Sequence, residues 1–156
     1  MTDLNELCKF LVKAKKSTYA AGDDAKKIIN DDKSTTMLFE DGDWQYHDNY
    51  FGGEPYGGRE VVFFKNAPIY MMVYYGWVIN GVDFSSVYRT LQGALSLMPE
   101  DKPFRGPKKY NNNDMEYTNI FEGNIDNFFG EEIIMSADNK EIYKAKYIGG
   151  LIDQEK

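Results

Sequence analysis

Hydrophobic residues recur at helical spacing close to the N-terminus. The apolar positions follow the i, i+3, i+4, i+7 pattern of a helix with one buried face: Leu4, Leu7, Cys8 and Leu11. Asp3, with Glu6 three residues later, has the spacing of a capping box. We predict a helix from Asp3 to Ser17, with the single cysteine buried as a small apolar residue.

A second helical stripe begins after Asp83, a residue type that favours the N-cap position. Its apolar residues are Phe84, Val87, Tyr88, Leu91, Leu95 and Met98. Pro99 cannot continue a helix, and three prolines within 99–110 predict a rigid loop.

Short runs rich in β-branched and aromatic residues predict strands over most of the remaining chain. They are Met37–Glu40, Trp44–Phe51, Arg59–Lys65, Ile69–Tyr75, Met115–Glu122, Glu131–Ala137 and Glu141–Ile148. The glycine-rich segment 52–58 contains a proline and is predicted to be a hairpin loop. Residues 19–36 are polar and lack a period, so we expect a mobile loop there.

The order of these elements predicts an α+β fold in a single domain, residues 1–156. We expect a curved antiparallel sheet of about six strands with two main helices packed on one face. Residues 61–64 and 69–75 are apolar on both alternating faces, whereas a sheet with one wet face alternates cleanly. Curvature, a partner subunit or a ligand must therefore cover the second face.

Two assemblies would cover that face. In a homodimer, residues such as Val62, Tyr70 and Tyr74, or their alternates one residue along, would meet their own copies across a twofold axis. In a monomer, the sheet would curl at Gly52-Gly53 and Gly57-Gly58, and the same apolar residues would meet the C-terminal strands. We expect the monomer.

Composition narrows the function classes. A net charge of −7 and only three arginines argue against direct nucleic-acid binding, which needs cations to displace counterions from phosphates. One cysteine excludes an internal disulfide, and no apolar run approaches the length that spans a bilayer. We expect a cytoplasmic protein without a membrane association.

The only histidine lies in a predicted strand, WQYHDNYF. Strand alternation places His47 with Gln45, Asn49 and Phe51 on one face, and Tyr46 with Asp48 on the other. One hypothesis makes this histidine the general base of a hydrolase- or isomerase-like enzyme. The carboxylates that would assist it are Asp48, Glu54 and Glu60. The alternative is a structural or surface histidine.

Motifs for metals and cofactors are incomplete. Asp41-Gly42-Asp43 begins like a calcium loop, but Tyr46 stands where the glycine belongs and no glutamate closes the loop. GGEPYGG lacks the lysine and the following helix of a phosphate loop. We therefore expect neither a metal site nor a cofactor.

Arg105 lies in the proline-stiffened sequence KPFRGP. A guanidinium held in a rigid loop is well suited to bidentate contact with a carboxylate. Its partner is either an acidic residue of the Glu40–Glu60 stretch or an anionic group of a ligand in a pocket.

Three separated motifs resemble a family of uncharacterised bacterial domains, that is, a domain of unknown function. They are YFGGEPYGGREVVFFKNAPIYMMVYYG, LMPEDKPFRGP and YKAKYIGGLI. The resemblance implies a domain that occurs alone or C-terminal to an XRE-type helix-turn-helix in transcriptional regulators. Tyr70 and Val73 stand where members of the family often carry Trp and Asn. The family supplies no catalytic residues.

The leading hypothesis is a non-catalytic sensor or regulatory domain that binds a small molecule or a protein partner. The surplus of aromatic residues on the central strands favours a lined pocket. The predicted lining is Trp44, Tyr46, Tyr50, Tyr56, Tyr74 and Trp77, with Arg59 and Arg105 as polar anchors.

Overall fold

The computed structural model describes residues 1–155, except the side chains of residues 23 and 24. Helix α1 spans Leu4–Ser17 and α2 spans Phe84–Leu95. Both begin at the predicted N-caps: the carboxylate of Asp3 accepts hydrogen bonds from two backbone N–H groups of the first turn, and that of Asp83 accepts one. A 3-10 helix, Tyr19–Asp24, follows α1.

Nine strands make up most of the described chain. They are β1 (Lys27–Ile29), β2 (Thr35–Asp41), β3 (Trp44–Gly52), β4 (Tyr56–Phe64), β5 (Ala67–Val78), β6 (Lys109–Asn112), β7 (Met115–Asn124), β8 (Asn127–Met135) and β9 (Glu141–Leu151). All pair antiparallel in one sheet of order β1-β2-β3-β4-β5-β9-β8-β7-β6. Two meanders therefore join where β5 pairs with β9.

The predicted fold class is wrong. We expected an α+β fold with about six strands and two main helices packed on one face, but the chain is mostly one large sheet of nine strands, and only 20% of it is helical. The two extra edge strands, β1 and β6, fall in segments predicted to be loops. Strand β1 has only three residues and β6 has four, mostly polar, so neither shows the apolar alternation that identifies a strand in a sequence.

The two faces of the sheet have different roles. Along β5, Tyr70, Met72 and Tyr74 are buried, while Val73 and Tyr75, at alternate positions, are exposed. The buried positions of β3, β4, β5, β8 and β9 belong to one hydrophobic cluster with side chains from both helices. We call the buried side of the sheet its inner face and the other side its outer face.

Glycines on the inner face make room for tyrosine rings. A Cβ added to Gly58 would lie 2.7 Å from the hydroxyl oxygen of Tyr74, and one on Gly130 would lie 2.3 Å from that of Tyr147. These rings therefore lie directly over the backbone of a neighbouring strand. Gly52, by contrast, has φ +80° at the end of β3 and supplies the turn conformation that other residues rarely adopt.

The outer face carries several exposed apolar side chains. They are Val73, Tyr75, Ile120, Phe129 and Ile148. An open groove of about 660 Å³ crosses this face, and its walls also include the charged residues Glu131 and Lys146. Val62, Tyr70 and Tyr74 lie on the opposite, inner face, so they are covered within the chain itself.

Two further expectations concern the region 19–36 and the membrane. The region contains the 3-10 helix, β1 and the beginning of β2; its mobility stays a prediction.

None of the helices in residues 1–155 combines the length and the apolar character needed to cross a lipid bilayer.

The contact between Gly130 and Tyr147 provides a test of the packing. We expect Gly130→Ala to lower the free energy of unfolding by about 1–3 kcal/mol, because the new methyl group overlaps a buried ring. Gly53→Ala is the matched control, since its Cβ would meet nothing within 4 Å. Thermal unfolding monitored by circular dichroism measures both; equal melting temperatures would contradict this packing.

Oligomeric state is a separate prediction. We expect a single sedimenting species near the chain mass of 18.0 kDa. The inner face of the sheet is covered within the chain, and charged side chains lie among the exposed apolar side chains of the outer face. A species of twice that mass at micromolar concentration would contradict the monomer and would point to the outer face as the interface.

Candidate functional site: a tyrosine-lined pocket

A pocket of about 230 Å³ lies on the inner face of the sheet, between strands β1 to β5, α2, the 3-10 helix and the loop that follows α2. Five tyrosines contribute to its walls: Tyr19, Tyr50, Tyr56, Tyr74 and Tyr88. Its polar side chains are Lys27, Asp48, Gln92 and Arg105. The pocket thus combines aromatic walls with a carboxyl group and a guanidinium group.

Arg105 is almost completely buried, with 5% of its surface exposed. Its Nε donates a hydrogen bond of 2.7 Å to Oε1 of Glu132. The centre of the guanidinium lies 5.8 Å from the ring centroid of Tyr19 and 5.6 Å from that of Tyr74, which are cation–π distances. Nη2 is buried and has no hydrogen-bond partner among the described residues.

Glu132 fixes the loop that carries Arg105. Its second oxygen accepts a hydrogen bond of 2.5 Å from the hydroxyl of Tyr117, and this hydroxyl in turn accepts one from the backbone N–H of Gly106. The predicted partner of Arg105, an acidic residue of the Glu40–Glu60 stretch, is therefore wrong. Arg105 also lines a pocket, and its contact with an anionic group of a ligand stays a prediction.

Asp48 is the second buried polar group of the pocket. It is 2% exposed, and its Oδ1 accepts a hydrogen bond of 2.5 Å from the hydroxyl of Tyr74. Burial raises the pKa of the Asp48 carboxyl to about 7, and the negative charge of Glu60 adds to the effect. The carboxyl group therefore changes its charge near neutral pH.

Lys15 and Glu60 form a second buried ion pair beside the pocket. Nζ of Lys15 lies 2.7 Å from Oε2 of Glu60 and donates to the carbonyl oxygen of Phe104 at 2.8 Å. Burial lowers the pKa of Lys15, while the charge of Glu60 raises it. The pair also attaches α1 to the loop that carries Arg105.

The rim of the pocket is held by Glu54 and Tyr88. Oε1 of Glu54 accepts a hydrogen bond of 2.6 Å from the backbone N–H of Val78, and its other oxygen accepts one from the hydroxyl of Tyr88. Burial raises the pKa of Tyr88, and the bond to Glu54 raises it further. Glu54 therefore connects the β3–β4 loop to both β5 and α2.

The structure brings together half of the predicted lining. Tyr50, Tyr56, Tyr74 and Arg105 line this pocket. The other four lie elsewhere. Trp44 packs against Phe10 with a ring-centroid distance of 5.2 Å, and Tyr46 is fully buried in the core. Trp77 lies next to Tyr75, and Arg59 lines a separate cavity with His47.

The predicted catalytic group does not converge. His47 belongs to the outer face, where its ring lies 4.8 Å from that of Phe63 and where burial lowers its pKa. Asp48 and Glu60 point to the inner face and Glu54 lies at the rim of the pocket. Strand alternation therefore separates the histidine from its proposed carboxylates. Within residues 1–155, no three His, Cys, Asp or Glu side chains are placed to hold a metal ion.

The family model for a domain of unknown function (DUF5680) matches residues 48–152. The chain belongs to this family. No curated protein and no solved structure matches the chain. The part that matches DUF5680 begins at Asp48 and includes Arg105 and Glu132, but it leaves out α1 and Tyr19. Most polar groups of the pocket therefore lie within the family's own segment.

Sequence analysis missed several groups of this DUF5680 pocket. Tyr88 was assigned only to the apolar stripe of α2, and Tyr19 to a mobile loop. Glu132 carried one usable signal, since a charged residue among the apolar residues of a predicted strand suggests a buried partner. Nothing in the sequence connects Tyr19 with Arg105, because that contact depends on how the chain passes over the sheet.

The raised pKa of Asp48 makes a prediction about stability. Between about pH 4 and pH 7 the folded chain holds a proton on this carboxyl that the unfolded chain has released, so its contribution to stability decreases as pH rises through that window. Asp48→Asn removes this dependence. We expect the variant to be more stable than the native chain at pH 8, by at most about 4 kcal/mol, and to lose this advantage at pH 4.

Chemical denaturation across this pH range checks the prediction. Asp43→Asn is the control, because it removes a carboxylate that is exposed to solvent in a turn. A difference between Asp48→Asn and the native chain that does not change with pH would contradict the assignment.

Proposed function

We propose that this protein is a non-catalytic domain that binds a small molecule in the tyrosine-lined pocket. The observation that carries the proposal is the meeting of Asp48 and Arg105 at one aromatic cavity, with Nη2 of the guanidinium lacking a partner. Buried polar groups are almost always hydrogen-bonded, so groups left over at a cavity are typical of a binding site.

The size of the cavity limits the ligand. Drug-sized ligands occupy about 300–1,000 Å³, and this pocket has about 230 Å³. At about 30 Å³ for a water molecule in the liquid, it corresponds to roughly eight waters. The ligand we propose therefore has on the order of ten non-hydrogen atoms, enough for one ring with a polar substituent.

Hydrogen bonds within the chain hold the walls of the pocket in place. Glu132 holds Arg105, Tyr74 holds Asp48, and the hydroxyls of Tyr56 and Tyr143 lie 2.5 Å apart. Such anchoring lowers the ordering cost of binding. The sensor or regulatory role, and an association with XRE-type regulators in a bacterial cytoplasm, rest on the resemblance and stay predictions.

A thermal-shift screen with a library of single-ring fragments tests the proposal, because a ligand that binds only the folded state raises the melting temperature. We expect hits with the native chain that Gln92→Trp abolishes, since this residue of α2 lines the pocket. Arg89→Trp, on the exposed side of the same helix, should retain them.

Two results would contradict a binding function at this site. One is the absence of any stabilising fragment for the native chain at millimolar concentration. The other is a set of hits that persists in Gln92→Trp, which would place binding elsewhere on the molecule. Circular dichroism of both tryptophan variants establishes that each is folded before the screen.

A further inference from the structure

We propose that the pocket selects an uncharged, flat ring compound that presents a carbonyl oxygen, such as an aromatic amide, lactam or lactone, and that it binds this compound with Asp48 in the protonated form. The inference rests on the proposed function, because it names the class of ligand for the same pocket. The charge balance of the buried groups, the supply of donors and the shape of the walls each support it.

The first support is the balance of buried charge. Two cations, Lys15 and Arg105, face two carboxylates, Glu60 and Glu132, and each pair is in contact at 2.7 Å. With Asp48 neutral, the formal charges of this buried group sum to zero. An anionic ligand would add a charge that the buried groups do not compensate. Lys27 also lines the pocket, but it is exposed to solvent, where an ion pair contributes little. An uncharged ligand leaves the balance intact.

The second support is the supply of hydrogen-bond donors. The bond to Glu132 uses Nε of Arg105, and the buried Nη2 has no hydrogen-bond partner among the described residues. Lys27 and Gln92 add further N–H groups to the lining. A neutral Asp48 accepts from Tyr74 through Oδ1 and can donate a proton through its other oxygen. A ligand that supplies an acceptor oxygen matches this excess of donors.

A cationic ligand fits the pocket less well, although aromatic walls and a carboxylate can hold ammonium groups. Two of the five rings, those of Tyr19 and Tyr74, already lie against the guanidinium of Arg105. A second cation would share these rings and lie close to both Arg105 and Lys27. The existing cation therefore occupies the position that an ammonium group would need.

The third support is the shape of the walls. Tyr56 lies near both Tyr74 and Tyr88, with ring-centroid distances of 5.9 Å and 6.1 Å. Rings at these separations and tilts provide flat and edge contacts for another ring. Tyr50 adds a further aromatic surface from β3. A planar ligand can therefore contact rings on several sides while its carbonyl group reaches the donors.

Binding that requires a neutral Asp48 depends on the charges that face this carboxyl. Four groups from other elements act on the pKa of Asp48: Glu60 from β4, Tyr74 from β5, Arg105 from the loop after α2 and Lys15 from α1. The charge of Asp48 in turn raises the pKa of Tyr46 and Tyr50 on its own strand. Burial and the charge of Glu60 favour the neutral form of Asp48, while the hydrogen bond from Tyr74 and the two cations oppose it. The proton on Asp48 is therefore available near neutral pH, and a ligand that needs it binds more tightly at lower pH.

Three probes, each built on one benzene ring, separate the ligand classes: benzamide, benzoate and benzylammonium. Ligand-observed NMR titrations at pH 5.5 and pH 8.5 measure their affinities for the full chain. We expect benzamide to bind most tightly, with a dissociation constant about 30-fold lower at pH 5.5 than at pH 8.5, since affinity falls about tenfold for each pH unit above the midpoint. Asp48→Asn should bind benzamide equally at both values.

The alternative outcomes are distinct. Preference for benzoate or benzylammonium, if lost in Gln92→Trp, would overturn the uncharged class and leave the binding function in place. Benzamide binding that does not change with pH in the native chain would overturn the role of the Asp48 proton. Failure of all three probes would overturn the ligand class, and the fragment screen then decides separately whether the pocket binds any small molecule.

Discussion

The buried ion pair between Arg105 and Glu132 is the contact on which the pocket depends. It joins a loop without regular structure to the inner face of β8, and the rings of Tyr19 and Tyr74 lie at cation–π distance from the same guanidinium. Removing one partner of such a pair leaves a buried charge, which costs about 3–5 kcal/mol. The loop, the 3-10 helix and the central strands are therefore positioned by one cation.

The second ion pair extends this arrangement. Lys15 reaches from α1 to Glu60 on β4 and also donates to the carbonyl group of Phe104, next to Arg105 in the loop. Both pairs therefore hold the same loop. Asp48 is the fifth ionisable group of this region, and its hydrogen-bond partner is the hydroxyl of Tyr74 rather than a cation. Burial, together with the negative charge of Glu60, raises the pKa of its carboxyl.

Much of the local structure could be predicted from the sequence. Both helices and their N-caps, and seven of the strands to within a few residues, follow from apolar periodicity and from capping and turn residues. The site was only half predicted. Tyr50, Tyr56, Tyr74 and Arg105 were named for a pocket, and they do line one. The alternation along β3 places His47 on the outer face and Asp48 on the inner face. This separation weakens the hypothesis that the two side chains act together in catalysis.

The sequence by itself determined the local elements, the alternation of inner and outer residues and the surplus of aromatic side chains, because these depend on neighbours a few positions away. Tertiary structure alone decided that β5 pairs with β9, that two short edge strands complete the sheet, and that Arg105 contacts Glu132. These contacts join residues far apart in the chain, and several polar residues could have satisfied each of them. Which one does so is decided by strand order and register, and these are properties of the whole packed sheet.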